Sequence, residues 1–300
     1  MEESLNALQI ADLTVDFGNF AIKNLNLNIK KGAVTGLIGA NGAGKSTLIK
    51  AIMRSVHAQS GNILYDGKPF AGNEKEILNR VACVFDEVRF NLNAQPKRII
   101  KLYKDLYAGF DAENCKKLMA KFNLPERMSI RKYSFGMKKK FLIILGLCQG
   151  ADLLILDEPT SGVDPYDRNE IITLIQEYLM DENKAVLFST HITEDLDNIA
   201  DYIVMMDNGR IILNEGKDDL IKSYRIVRAA TLTPELEASA IGVVKDMFGY
   251  TFITKNTQLE SGEGVQVTNA TVQQIFVHLL GQNKSGYLNV QENSESIFGI

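Results

Sequence analysis

Apolar and polar positions alternate through Leu8–Gly32, "LQIADLTVDFGNFAIKNLNLNIKKG", on both sides of a Gly18-Asn19 pair. A period of two broken by a turn predicts two antiparallel strands. The pattern then changes. Ala33–Gly39 ("AVTGLIG") is almost wholly apolar, like a strand covered on both faces, and Lys45–Val56 ("KSTLIKAIMRSV") has helical spacing. Helical periodicity continues in Pro96–Phe110 and in Asp111–Leu124, where Asp111 is placed as an N-cap, and again in Arg131–Cys148, capped by Ser134. Asp152–Pro159 ("DLLILDEP") and Ala185–Thr190 ("AVLFST") are two more buried-type strands, with a helix predicted over Asp167–Lys184 between them. A short helix at Thr193–Ala200 follows, then a hairpin, Tyr202–Gly216, whose Asn208-Gly209 pair suits a type I′ turn.

Buried strands alternating with helices predict an α/β fold with a mostly parallel sheet. The mostly helical stretch from about 87 to 150 interrupts the alternation and reads as an inserted helical subdomain. The first domain is expected over 1–220. Beyond it the pattern weakens, leaving a small α+β extension over 221–300. A short helix, β-like pieces at Tyr250–Asn256 and Gly264–Asn269, a helix at Thr271–Gly281 and a loose end from Asn283 are its predicted parts.

Composition narrows the function classes. Of 300 residues, 45% are hydrophobic and 23% charged, as in an ordinary soluble protein. The net charge of −4 supplies no general basic field, so nucleic acid is not expected as a partner. The most apolar run, Phe141–Cys148, is shorter than the roughly 20 residues a membrane-spanning helix needs. The first residues, "MEESLNALQIAD", lack the basic-then-apolar order of a secretory signal. Cys83, Cys115 and Cys148 show no metal-binding spacing and read as buried reduced thiols.

One motif carries most of the chemistry. "GANGAGKST", Gly39–Thr47, sits between an apolar strand and a helix and matches G-x-x-x-x-G-K-S/T. Glycines let the backbone wrap a phosphate chain with amides pointing inward and the helix N-terminus behind them. Lys45 then reaches the outer phosphates and the Ser46 hydroxyl can ligate Mg²⁺. "LLILDEP" ends a buried strand on two acids. Asp157 is placed beside the metal, and Glu158 can orient or deprotonate an attacking water. His191, after "FST", emerges at the same sheet edge, where ligands of parallel α/β sheets bind.

In this order the motifs resemble those of the nucleotide-binding subunit of an ATP-binding cassette transporter, over about residues 5–220. The resemblance implies a P-loop NTPase core that binds ATP and Mg²⁺ and is an ATPase. It implies nucleotide contacts from Gly39, Asn41, Gly42, Ala43, Gly44, Lys45, Ser46 and Thr47, and an adenine-stacking role for Phe17, whose alternative is an ordinary strand core residue. Glu158, His191 and Lys45 would be catalytic, and "SGVD", Ser161–Asp164, resembles the loop that communicates across the family's dimer. "YSFGM", Tyr133–Met137, stands where the family has its signature element. Ser134 and Gly136 match the positions that contact a nucleotide held by the other subunit.

That element bears on an oddity: Lys138, Lys139 and Lys140 crowd the first turns of a helix, where positive charge opposes the helix dipole. Either they form a solvated face, or an anion belongs there, which the resemblance would supply from a partner chain. Two departures stand out. Phe135 replaces the usual signature glycine. Asp86, in "CVFDEVRF", stands where the family has a glutamine that meets magnesium, with Glu87 as the alternative position. Asp86, Ser46 and Asp157 are thus the expected metal ligands.

The expectation is a dimer of this chain with itself or a close homologue, closing around two ATP molecules. It would power a separate transmembrane permease, in the manner of bacterial exporters, from the cytoplasmic face of the cell membrane, docking through Asp86–Asn91 and the helical subdomain. The competing expectation is a soluble ATP-driven clamp acting on nucleic acid or ribosomes. That class usually carries two cassettes in one chain or a long coiled-coil insertion, and neither is visible in this sequence.

Overall fold

The computed structural model describes residues 5–86, 90–283 and 288–289. It forms two compact units, Met1–Leu213 and Asn214–Ile300.

In the first unit, β1 (Asn6–Asp16) and β2 (Ala21–Lys30) pair antiparallel as the alternation predicts. β2 shows the pattern cleanly: Ile22, Leu25, Leu27 and Ile29 are buried while the residues between face out. β3 (Val34–Gly39) is buried at every position and leads into α1 (Lys45–Ile52). The helix stops four residues earlier than its periodicity suggests, because Arg54 takes a left-handed φ of 54° and the amides of Arg54 and Ser55 bond back to Ala51 and Lys50 carbonyls. β4 (Ser60–Tyr65) and β5 (Lys68–Pro69) extend the antiparallel sheet to four strands, in the order β2-β1-β4-β5. These two strands, α2 (Glu74–Arg80) and β6 (Val81–Val84) have no counterpart in the sequence reading.

The helical insertion holds α3 (Pro96–Leu106), α4 (Ala112–Lys121) and α5 (Phe135–Leu147). Asp111 caps α4 by accepting from the amides of Glu113 and Asn114, and Ser134 caps α5 by accepting from Met137 N. Cys115 and Cys148 are buried, and Cys83 is half-buried.

The chain then forms β7 (Leu153–Asp157), α6 (Pro165–Tyr178), β8 (Ala185–Thr190), α7 (Thr193–Ile199), β9 (Tyr202–Asp207) and β10 (Arg210–Gly216). α6 begins at Pro165 behind the N-cap Asp164 and ends before Asp181, whose side chain accepts from Asn183 N and turns the chain short of the predicted Lys184. Asn208 (φ 45°) and Gly209 (φ 76°) give the β9–β10 turn its left-handed pair.

The central sheet runs β10-β9-β3-β8-β7-β6, with β9, β3, β8, β7 and β6 parallel. Because β8 lies between β3 and β7, the loops after these three strands emerge side by side at one edge. At the opposite edge a chain of ion pairs joins the elements: Lys31 to Asp66 (2.7 Å), Asp66 to Arg80 (3.2 Å), Arg80 to Asp152 (2.6 Å) and Asp152 to Lys184 (3.0 Å).

The second unit contains α8 (Lys217–Ser223), β11 (Arg225–Ala229), α9 (Pro234–Ser239), β12 (Ile241–Asp246), β13 (Gly249–Thr254), β14 (Val265–Asn269), α10 (Val272–Asn283) and β15 (Leu288–Asn289). Its sheet runs β14-β11-β13-β12-β15 around a core of Val227, Ala229, Leu236 and Phe252.

Candidate functional site

The loop between β3 and α1 is shaped by residues that only glycine can replace. Gly42 (φ 82°) and Gly44 (φ 109°) are left-handed. A Cβ on Gly39 would lie 2.6 Å from the Met206 carbonyl oxygen, and one on Gly44 would lie 2.8 Å from the Phe20 ring. The hairpin tip braces the loop, since Gly209 N donates to Ala43 O. Asn41 and Gly42 are exposed, Thr47 is half-buried, and Ala43 and Lys45 are buried.

Lys45, 6% exposed, donates to Gly39 O at 2.7 Å, and its Nζ lies 3.4 Å from Glu158 Oε1. The other Glu158 oxygen, Oε2, lies 2.7 Å from His191 Nδ1. One carboxylate therefore spans a lysine and a histidine from three different loops, those after β3, β7 and β8. Glu158 is held on its main chain as well. Its φ is 50°, its amide donates to Ser189 O, and its carbonyl accepts from Lys139 Nζ at 3.0 Å. Beside it, Asp157 is 5% exposed and its Oδ1 accepts from Ser189 Oγ (3.1 Å) and Ser46 Oγ (3.4 Å). A buried carboxylate with a hydroxyl on the same oxygen suits a hard divalent cation.

The third expected metal ligand fits less well. Asp86 Oδ1 is bonded to Lys139 Nζ at 2.5 Å, and an ammonium at that position repels a cation. Glu87, the alternative, lies outside the described residues, as do Val88 and Arg89 of the expected docking stretch.

Two of the three lysines fit neither reading offered by the sequence. Lys139 and Lys140 are 2% and 5% exposed, so they form no solvated face. Nor do they await an anion from outside: Lys139 has Asp86, and Lys140 donates to Asp167 Oδ1 and Glu170 Oε2, both at 2.7 Å. Burial pulls the Lys140 ammonium down, but its two carboxylates outweigh that and hold it above the ordinary lysine range. Lys138 alone stays half-exposed.

Phe17 is not a strand core residue. It sits in the β1–β2 turn, 53% exposed, while Phe20 takes the packed position against the core. Ser134 is exposed, and Gly136 is buried where any side chain would run into the Asp167 carboxylate. Among the described residues no hydrogen bond or ion pair ties Phe17, Ser134 or Gly136 to the Lys45–Glu158–His191 cluster. The Phe135 ring covers Gly162, the left-handed glycine of "SGVD". Two members of the site escape sequence reading. Ser189 shows only as part of a strand, and Lys139 is masked by its identical neighbours.

A protein family model described as ABC transporter matches residues 22–161. The lantibiotic transport ATP-binding protein SrtF of Streptococcus pyogenes is 31% identical over 214 residues, 70% of this chain and 91% of that protein. The chain belongs to the ABC transporter family. The bacitracin transport ATP-binding protein BcrA of Bacillus licheniformis is 28% identical over 221 residues, 73% of this chain and 72% of BcrA. The structure of cbiO1 from Clostridium perfringens, described as part of the ABC transporter complex cbiONQ, superposes with a TM-score of 0.63 at 25% identity, covering 72% of this chain and 91% of cbiO1. This ABC protein is thus an ATP-binding subunit and an ATPase coupled to transport. Among the described residues no helix is long and apolar enough to cross a membrane.

Proposed function

We propose that two copies of this chain, or one copy and a close homologue, close around two ATP molecules and drive a separate transmembrane partner that exports its cargo. The observation that carries the reading is the Glu158 carboxylate spanning Lys45 and His191, beside the Ser46–Asp157 pair. Such a cluster is complete for cleaving a phosphoanhydride, apart from the groups that close over it. Gly39, Asn41, Gly42, Ala43, Gly44 and Thr47 bring the loop's amides and hydroxyl to the phosphates, with Lys45 as their cation. Ser46 and Asp157 hold Mg²⁺, which neutralises charge on the phosphates when bound. Glu158 takes a proton from the attacking water, and His191 orients that carboxylate while facing the terminal phosphate. Phe17, exposed in the β1–β2 turn, stacks on adenine.

Ser134 and Gly136 act in the other subunit's site. In this reading the half-site lacks its own α5 N-terminus and gains the partner's, which makes closure depend on nucleotide. Transport is supported by the names of SrtF and BcrA, and work within a larger transporter complex by the cbiONQ complex of cbiO1; export as the direction rests on the resemblance of the motifs to bacterial exporter cassettes. The chain would work peripherally on the cytoplasmic face of the membrane.

The test is Glu158→Gln. The amide keeps the shape and cannot accept the proton, so the variant should bind ATP and accumulate as a dimer by size exclusion with light scattering. A monomer at saturating ATP and Mg²⁺ would overturn the sandwich.

A further inference from the structure

Among the described residues of the ATP-binding unit Lys139 is the least exposed lysine or arginine, and its hydrogen bonds do not go to the phosphate loop. Its side chain is 3% exposed. An ammonium is kept out of water only where it is paired and hydrogen-bonded. Its bonds go to two atoms, Asp86 Oδ1 at 2.5 Å and the Glu158 carbonyl at 3.0 Å, and the Phe135 ring centroid lies 5.6 Å away. These partners come from three separate segments: the end of β6, the turn after β7 and the start of α5.

The bond to Glu158 falls on the peptide that aims its carboxylate. Glu158 sits at φ 50°, a region that residues with a side chain seldom occupy unless their surroundings hold them there. Ser189 O fixes the amide before that residue, and Lys139 fixes the carbonyl after it. Among the described residues no group other than the ammonium donates to that carbonyl and holds the turn in place. Asp86 differs from the other members of this node because its side chain is 54% exposed. The counter-charge of a buried cation is thus open to whatever meets the end of β6.

We propose that Lys139 is a positioning residue for Glu158, and that Asp86 serves as its counter-ion rather than as a metal ligand. The state of Asp86 then sets how firmly the base is aimed: with the carboxylate engaged elsewhere, Lys139 loses its charge partner and its hold on Glu158 loosens. This rests on the reading of Glu158 as the proton acceptor.

The test uses the full chain with Lys139→Met, Lys139→Arg, Asp86→Asn and the Asp86→Asn/Lys139→Met pair. Steady-state Mg-ATP hydrolysis, fluorescent-ATP affinity and thermal melting are measured for each. Lys139→Met should lower kcat about tenfold with KM and nucleotide affinity within about twofold, the split expected when a general base is misaimed rather than lost. Lys139→Arg should recover most of that kcat. Asp86→Asn should be the least heat-stable of the set, and adding Lys139→Met to it should restore the melting temperature, because the pair then leaves no unpartnered cation. Wild-type kcat in Lys139→Met overturns the inference. So does an Asp86→Asn chain that needs about tenfold more Mg²⁺ for ATP binding when Lys139 is already Met, since that is a ligand's signature. If Lys139→Met does not fold, Lys139→Arg and Asp86→Asn read the same link. Loss of kcat in Glu158→Gln with none in the Lys139 variants defeats this inference alone, whereas wild-type kcat in Glu158→Gln defeats the reading beneath it.

Discussion

The cation on α5 that faces α6 gives a prediction that can be worked through in energy. The Lys140 side chain is 6% exposed and shared between Asp167 and Glu170, whose side chains are 16% and 21% exposed. Removing one carboxylate leaves the other, so Glu170→Gln should cost about the value of one charged hydrogen bond, about 1.5–3 kcal/mol, reduced because the glutamine oxygen still accepts. Removing both, as Asp167→Asn/Glu170→Gln, strands a buried ammonium and should bring the total to about 3–5 kcal/mol. Replacing all three, with Lys140→Met added, removes the stranded charge and should return most of that loss. The ladder is non-additive by design. Its assay is urea unfolding of the ATP-binding unit followed by circular dichroism, with each variant's slope checked against wild type. Alkaline pH gives a second reading with a fixed sign. The folded pKa of Lys140 is raised, so its contribution is fully present below the ordinary 10.5 and is lost as pH rises through the folded value. Wild type should therefore lose stability relative to the triple variant only above pH 10.5. A double variant as stable as wild type would show that Lys140 is solvated, and would refute the argument that the lysines of α5 are internal.

Two further outcomes are expected. Ser134→Ala removes the α5 cap and should cost about 1 kcal/mol in unfolding, while abolishing ATP-driven dimerisation in a Glu158→Gln background; a dimer that persists would place the γ-phosphate contact elsewhere. Tyr103, whose phenol burial pushes up to about 12, should stay neutral in the folded protein between pH 10 and 12 while the unfolded chain ionises. Stability should decline across that interval, and Tyr103→Phe should flatten the decline in absorbance-monitored titrations.

Much of the site was legible because its signals are local. The phosphate loop needs glycines within a few residues of one another, and Asp157, Glu158 and His191 lie at the ends of strands whose unbroken apolar runs declare them buried. The two caps, Asp111 and Ser134, were legible for the same reason. Partnerships across sequence were not. Lys139 finds Asp86 across 53 positions and Lys140 finds Asp167 across 27, and no periodicity of α5 distinguishes a lysine that pairs inside from one that faces water. The short edge strands β5 and β6 carried too few residues to show alternation. In the C-terminal unit the β-like pieces Tyr250–Asn256 and Gly264–Asn269 correspond to β13 and β14, but β11 and β12, with mixed burial along their lengths, give no such signal.

The charged chain from Lys31 through Asp66, Arg80 and Asp152 to Lys184 lies at the ends of the strands remote from the phosphate loop. It joins the starts of β6, β7 and β8 through charge at the end of the sheet away from the chemistry, and so leaves the opposite strand ends, at Asp157 and Thr190, to carry the groups of the site.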